Sequence, residues 1–177
     1  MGRWRPPHKA GSPYITASGY RKLEGELKGL WPRRREVVQA LAAAAAEGDR
    51  SENAEYTYRK KELAGIDRRI RYLQKRLPNL KVVRHSTAPG QVYFGARVTL
   101  STDEGETLSY RIVGEDEADP SRGDINIDSP LARVLLKKAI GDEVRINSQK
   151  PDATAIIDRI EYDLSDTANR DPPIGTR

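Results

Sequence analysis

The chain has 177 residues, of which 37% are apolar and 32% charged. The apolar share lies below the ~45–50% of ordinary globular chains and the charged share above the usual ~25%, so an elongated or partly open molecule is expected. Cysteine is absent and the two histidines, His8 and His85, are far apart, which excludes disulfides and thiolate chemistry and argues against a Cys- or His-based metal cluster. No apolar run approaches the ~20 residues of a membrane helix. The charged N-terminus has no apolar h-region. A soluble, intracellular and cytoplasmic protein with no membrane contact is the expectation.

Charge is distributed unevenly. Residues 1–78 carry 18 Lys and Arg against 9 Asp and Glu, a balance of +9. Residues 79–163 carry 11 against 15, a balance of −4. A basic first half points to a polyanion contact there. Ordinary solvated helix faces would give the same count.

Residues 1–13 are rich in Gly, Pro and basic side chains and read as a disordered arm. A helical pattern then begins, with Thr16 or Ser18 suited to the N-cap. Leu23, Leu27, Leu30, Val37, Leu41 and Ala44 follow a heptad seam, with Arg34 in the remaining position. Pro32 removes an interior hydrogen bond and predicts a bend near Trp31. Gly48 suits the left-handed residue after the helix. A second seam follows at once through Tyr56, Arg59, Leu63, Ile66, Ile70, Leu73 and Leu77, and Pro78 stops it. Two heptad helices joined by a short turn are antiparallel neighbours. Residues 14–78 are therefore expected as a two-helix coiled coil with its tip at 47–52, and 79–91 as a linker that includes His85.

Beyond it the period changes to two. Val92–Leu100, Thr107–Val113, Ile125–Asp128, Glu143–Asn147 and Ala153–Tyr162 read as strands. Ser129–Lys138 reads as a short helix, with Ser129 as N-cap, Pro130 at its first position and Gly141 closing it. The fold class is thus α+β: an N-terminal antiparallel coiled coil, then a compact domain over 92–163. Residues 164–177 read as a disordered tail.

The tip concentrates charge. Residues 47–55 hold four acids and one Arg, a balance of −3. Residues 59–76 hold eight basic side chains against Glu62 and Asp67, a balance of +6. Asp49 and Glu52 have the spacing of a capping box and complement a helix N-terminus. Composition alone favours capping. Two exposed carboxylates make a weak Mg²⁺ site by themselves and become useful where substrate phosphate and another metal are already held.

The segments GDRSENAEY and YRKKELAGIDRRIRYLQKRL, with VYFGARVTL, YRIVGEDEAD, INIDSPLARVLLKKAIGDEV and IIDRIEY, closely resemble the bacterial Gre transcript-cleavage factors over 14–162. DRSENA, DRRIRYL and LLKK resemble the GreB branch of that family. The resemblance implies a coiled coil followed by a domain similar to FK506-binding proteins. It implies a monomer that binds bacterial RNA polymerase through the second domain and inserts the coiled coil into the secondary channel. There it would stimulate the polymerase's own cleavage of backtracked RNA. By the same resemblance Asp49 and Glu52 are the tip acids that share Mg²⁺ with the polymerase. Arg68, Arg69 and Arg71 correspond to the basic patch that contacts the RNA 3′ end, and Ser129, Pro130 and Leu131 to the polymerase contact. Three alternatives stand beside it. An inhibitory homologue would occupy the same channel. A peptidyl-prolyl isomerase would need a pocket drawn from Tyr93, Phe94, Tyr110 and Tyr162. A plain coiled-coil adaptor would leave the charge pattern without a role.

Overall fold

A computed structural model describes residues 11–46, 54–84, 90–146 and 153–163. The N-terminal arm over 1–10, Gly48 and the tip at 47–53, His85, Asn147 and the tail at 164–177 lie outside the described residues. The chain divides into two compact units, one formed by residues 18–80 and the other by residues 1–17 together with 81–177.

The first unit is a pair of long helices, α1 (Ala17–Ala46) and α2 (Ala54–Arg76), closed by a 3₁₀ turn at Leu77–Asn79. Every seam position named above is buried or half-buried, and Leu23, Val37, Ala44, Ile70, Leu73 and Leu77 are fully buried. Ion pairs across the helices show the antiparallel register. Arg33 Nη2 lies 2.5 Å from Glu62 Oε1, and Arg69 Nε lies 2.6 Å from Glu26 Oε1. One step of seven residues down α1 is thus one step of seven up α2, as a heptad repeat requires. The polar seam residue Arg34 reaches across to Asp67 at 2.7 Å. Arg59, the polar seam residue of α2, pairs with Glu55 at 2.7 Å and Glu62 at 3.0 Å. Pro32 lies inside α1, and the helix continues across it. Both Pro32 and Lys28, whose carbonyl loses its usual helical partner, are exposed residues.

The second unit begins with β1 (Tyr14–Thr16), which runs parallel to β2 (Lys81–Val83). Residues 14–16, expected at the start of the coiled coil, and 81–83, expected in a linker, therefore form a short sheet. The remaining strands are β3 (Ala96–Thr102), β4 (Thr107–Val113), β5 (Asp124–Asn126), β6 (Glu143–Ile146) and β7 (Ala153–Tyr162). Their order across the sheet is β5-β4-β3-β7-β6, with β4 and β5 parallel and the other neighbours antiparallel. β3 alternates fully buried and half-buried residues, so Ala96, Val98 and Leu100 share the inner face. They join Ile112, Val144, Ala155 and Ile157 around Ala132 and Leu135 of α3 (Pro130–Leu135). A bulge between Thr99 and Leu100 sets Asp158 out of register, and its carboxylate accepts from Ser101 Oγ.

Helix α3 is shorter than the expected Ser129–Lys138. Ser129 caps it as expected, its Oγ accepting from Ala132 N at 3.2 Å. It ends at Leu135 because Lys137 turns to φ 68°. Lys137 N then donates to Val92 O at 2.7 Å, and Val92 N to Lys138 O at 2.8 Å. Gly141, with φ 89°, does not close the helix but turns the chain into β6, donating to Ile157 O. Tyr162 fastens the far end of β7. Its hydroxyl donates to Gln91 O at 2.5 Å and accepts from Tyr93 N at 2.8 Å. Burial, only partly offset by the Tyr93 amide, pushes this phenol above its ordinary pKa.

Leu73 sits wholly inside the helix seam. Leu73→Ala should lower unfolding free energy by about 2–5 kcal/mol through lost burial and a residual cavity. Gln74→Ala, one position further on the exposed side, should change it by less than about 0.5 kcal/mol. Urea titration followed by helical circular dichroism compares the two.

Candidate nucleic-acid and polymerase interface

α1 ends at Ala46 and α2 begins at Ala54. Asp49 and Glu52 thus lie in the connection at the end of the hairpin, outside the described residues. Basic side chains of the two helices fall into two groups. Arg34, Arg59 and Arg69 are engaged in ion pairs within the hairpin. Arg68 and Arg71 are exposed and make no ion pair or hydrogen bond among the described residues.

Arg69 is the instructive member. Its Nε and Nη2 donate to the two carboxylate oxygens of Glu26 at 2.6 and 2.8 Å, the two-pronged geometry that makes Arg–carboxylate pairs strong. Its guanidinium also stands 5.2 Å from the centre of the Tyr72 ring. The resemblance grouped Arg69 with Arg68 and Arg71. The structure separates it, placing it across the hairpin while its neighbours face water.

Two further basic residues share the open face. Lys61 and Lys75 lie one heptad before and one heptad after Arg68, and both are exposed. Tyr58 and Tyr72, 59% and 43% exposed, lie two heptads apart beside them. The heptad offset from Arg68 was the signal available in the sequence for adding these residues to the basic face.

Two carboxylates of the hairpin are shifted accordingly. The Arg69 hydrogen bonds hold Glu26 below the ordinary glutamate range, partly opposed by desolvation. The Arg33 hydrogen bond does the same for Glu62, with Arg59 adding to it.

In the second unit, Ser129 and Leu131 are half-buried and Pro130 is exposed. Ser129 caps α3 and Leu131 packs on the sheet core. Pro130 is therefore the member of this group best presented to a partner. Of the aromatic residues considered for an isomerase pocket, Tyr110 and Tyr162 pack on the core. The Phe94 ring stands 6.1 Å from Tyr14, and the Tyr162 hydroxyl is tied to Gln91.

The fold is thus a helical hairpin with a basic second helix, followed by an α+β unit. Residues 13–82 match the family described as transcription elongation factor, N-terminal, and residues 86–162 match transcription elongation factor, GreA/GreB, C-term. The chain belongs to the GreA/GreB family of transcription elongation factors. It is 56% identical over 167 residues to transcription elongation factor GreB of Xanthomonas axonopodis pv. citri (strain 306), covering 92% of this chain and 98% of that one. The Pseudomonas aeruginosa protein of the same name is 52% identical over 164 residues, with the same coverage. Among solved structures, Gfh1 of Thermus aquaticus aligns over 85% of this chain and 99% of its own at 25% identity, with a TM-score of 0.41.

The depressed carboxylates give the hairpin an acid limb. A lowered folded-state pKa contributes stability that is present above the unfolded value, ordinarily 4.5, and is lost as pH falls through the folded one. Acidification below that point should therefore melt the hairpin progressively. Glu26→Gln should flatten the limb, and circular dichroism melts at stepped pH provide the measurement.

Proposed function

We propose that the chain is a monomeric elongation factor that docks on RNA polymerase through its second unit and enters the secondary channel with the hairpin. There it stimulates the polymerase's own cleavage of backtracked RNA. The observation that supports this reading is the order of charge along the hairpin. Acids lie in the connection at its end, and the unpaired basic residues Arg68 and Arg71 lie on the helix that follows.

Each group would have one task. Asp49 and Glu52 are hard oxygen donors carried in one short connection, and suit a Mg²⁺ shared with the polymerase. That ion, when bound, polarises phosphate and lowers the pKa of the attacking water. Asp49 and Glu52 would fill its open positions and orient the water. Arg68 and Arg71 would hold phosphates of the extruded RNA, without reading sequence. Arg69 would support them by fixing the helix pair through Glu26. The factor would act as a cofactor-like activator and not itself as an enzyme, because two carboxylates alone provide neither the second metal nor the enclosed site of two-metal chemistry.

Retention of both Asp49 and Glu52 favours stimulation over the inhibitory alternative. The charge order on the hairpin favours both over a plain adaptor.

Asp49→Asn distinguishes metal binding from helix capping, since Asn caps about as well as Asp but loses the charge a hard cation wants. Cleavage of labelled RNA in a backtracked complex should be abolished while competition binding to polymerase stays near that of the parent. Normal cleavage would return Asp49 to capping. The factor incubated alone with RNA and Mg²⁺ should release no fragments.

The basic face calls for a double variant that spares Arg69. Arg68→Glu with Arg71→Glu should reduce crosslinking to backtracked RNA in a salt-dependent way and leave the melting temperature unchanged. Arg69→Glu should instead lower the melting temperature, because it sets a like charge against Glu26. Unchanged crosslinking by the double variant would make the basic stripe a solvated face.

A further inference from the structure

The carboxylate of Asp128 is held from the opposite end of the chain. Ser12 N donates to Asp128 Oδ2 at 2.8 Å, and Ser12 Oγ donates to Asp128 Oδ1 at 2.7 Å. Both carboxylate oxygens thus receive a donor from one residue 116 positions away. Asp128 immediately precedes the α3 cap. Its own amide donates to Asn126 Oδ1 at 2.9 Å, and the Ser129 amide donates to Asn126 O at 2.8 Å. The turn that presents Pro130 is therefore closed on itself through Asn126 and fastened to the rest of the unit through Ser12.

Ser12 is itself held in place. Pro13 O accepts from Lys81 N at 2.7 Å, and the next three residues pair with β2. Ile15 is fully buried. Thr16 N donates to Glu117 Oε2 at 2.9 Å, and the Thr16 hydroxyl donates to the other oxygen of the same carboxylate. Gly114, whose amide also reaches Glu117, lies so close to Tyr14 that a Cβ there would stand 2.2 Å from the Tyr14 carbonyl oxygen. A residue anchored this firmly can fix the conformation of what it holds.

We propose that Ser12 is a positioning residue for polymerase docking: through Asp128 it presets the loop from Asn126 to Leu131. This inference rests on the reading above that this loop contacts polymerase. Segment 11–16 would then serve the docking unit, although it precedes the hairpin in the chain. Removing the latch lets the loop sample other conformers. Apparent affinity then falls by the fraction of time the competent conformer is populated. The chemistry at the hairpin end is untouched.

The test titrates each full-length variant into backtracked complexes and reads both the half-saturating concentration and the maximal cleavage rate. Competition binding to polymerase is measured in parallel. Ser12→Ala should raise the half-saturating concentration by roughly tenfold, the effect of a competent population near one tenth, and leave the maximal rate unchanged. Ser12→Thr, which keeps both donors, should restore the parent value, and Asp128→Asn should resemble Ser12→Ala. Hydrogen exchange should quicken at residues 126–132 in Ser12→Ala but not in β3, which separates a loosened loop from an unfolded domain. Pro130→Glu tests the docking reading alone. If it binds polymerase normally, the loop is not the contact and the proposal falls with that reading. If Pro130→Glu weakens binding while Ser12→Ala matches the parent, the docking reading stands and the positioning role is overturned. A Ser12→Ala variant that lowers the maximal rate without changing half-saturation also overturns it.

Discussion

Parallel strands cannot be joined by a tight turn, because the chain must return to the end from which it started. The pairing of Tyr14–Thr16 with Lys81–Val83 imposes this constraint on the first half of the molecule. The crossover between these strands is the entire helical hairpin, residues 17–80. The start of α1 and the end of α2 must therefore lie close together, and two helices meeting that condition run antiparallel. The helix seam then only has to match an arrangement that the small sheet already demands. Three residues per strand bury little by themselves, so the sheet relies on Ile15 and on the Glu117 carboxylate to keep Thr16 in place.

Within the hairpin, charge has two distinct uses. Arg33, Arg34 and Glu26 of α1 are held across the hairpin against Glu62, Asp67 and Arg69 of α2. Such pairs add little energy where they are exposed, but their spacing matches one register of the two helices and mismatches others. The basic residues left on the outer face of α2 are those whose heptad positions point away from α1. A net charge of +6 over 59–76 thus overstates what an incoming phosphate would meet. The division between register and recognition follows from the 3.6-residue turn, which sets Arg69 and its neighbours Arg68 and Arg71 on different sides of the helix.

The acidic second unit spends some of its carboxylates in a comparable way. Glu117 and Asp128 are distant from residues 12–16 in the chain, yet each accepts a backbone amide and a hydroxyl from that segment. Hydrogen bonds to a charged acceptor are stronger than neutral ones, and these carboxylates hold a segment too short to be fixed by apolar burial. The same unit places α3 under the sheet. There Ala132 and Leu135 face the core while Pro130 stays exposed at the loop.

The heptad spacings, the change to period two, the Ser-Pro helix start and the exact spans of β4 and β7 were legible in the sequence. Each depends on residues close together in the chain, where side-chain periodicity and local capping decide the outcome. The acid-to-base order along the hairpin was legible for the same reason, and so were the segments that mark the family. The partners of those residues were not. Nothing local distinguishes Arg69 from Arg68 and Arg71; only packing of α1 beside α2 brings Glu26 to it. Lys137 ended α3 early because Val92 supplied hydrogen-bond partners from another part of the chain. β1 with β2, and Ser12 with Asp128, join segments far apart in the sequence, and no periodicity records such pairings. Local order was set by the sequence read along the chain, whereas the choice of partner for each charge was made by tertiary structure, because it is a property of distance in space.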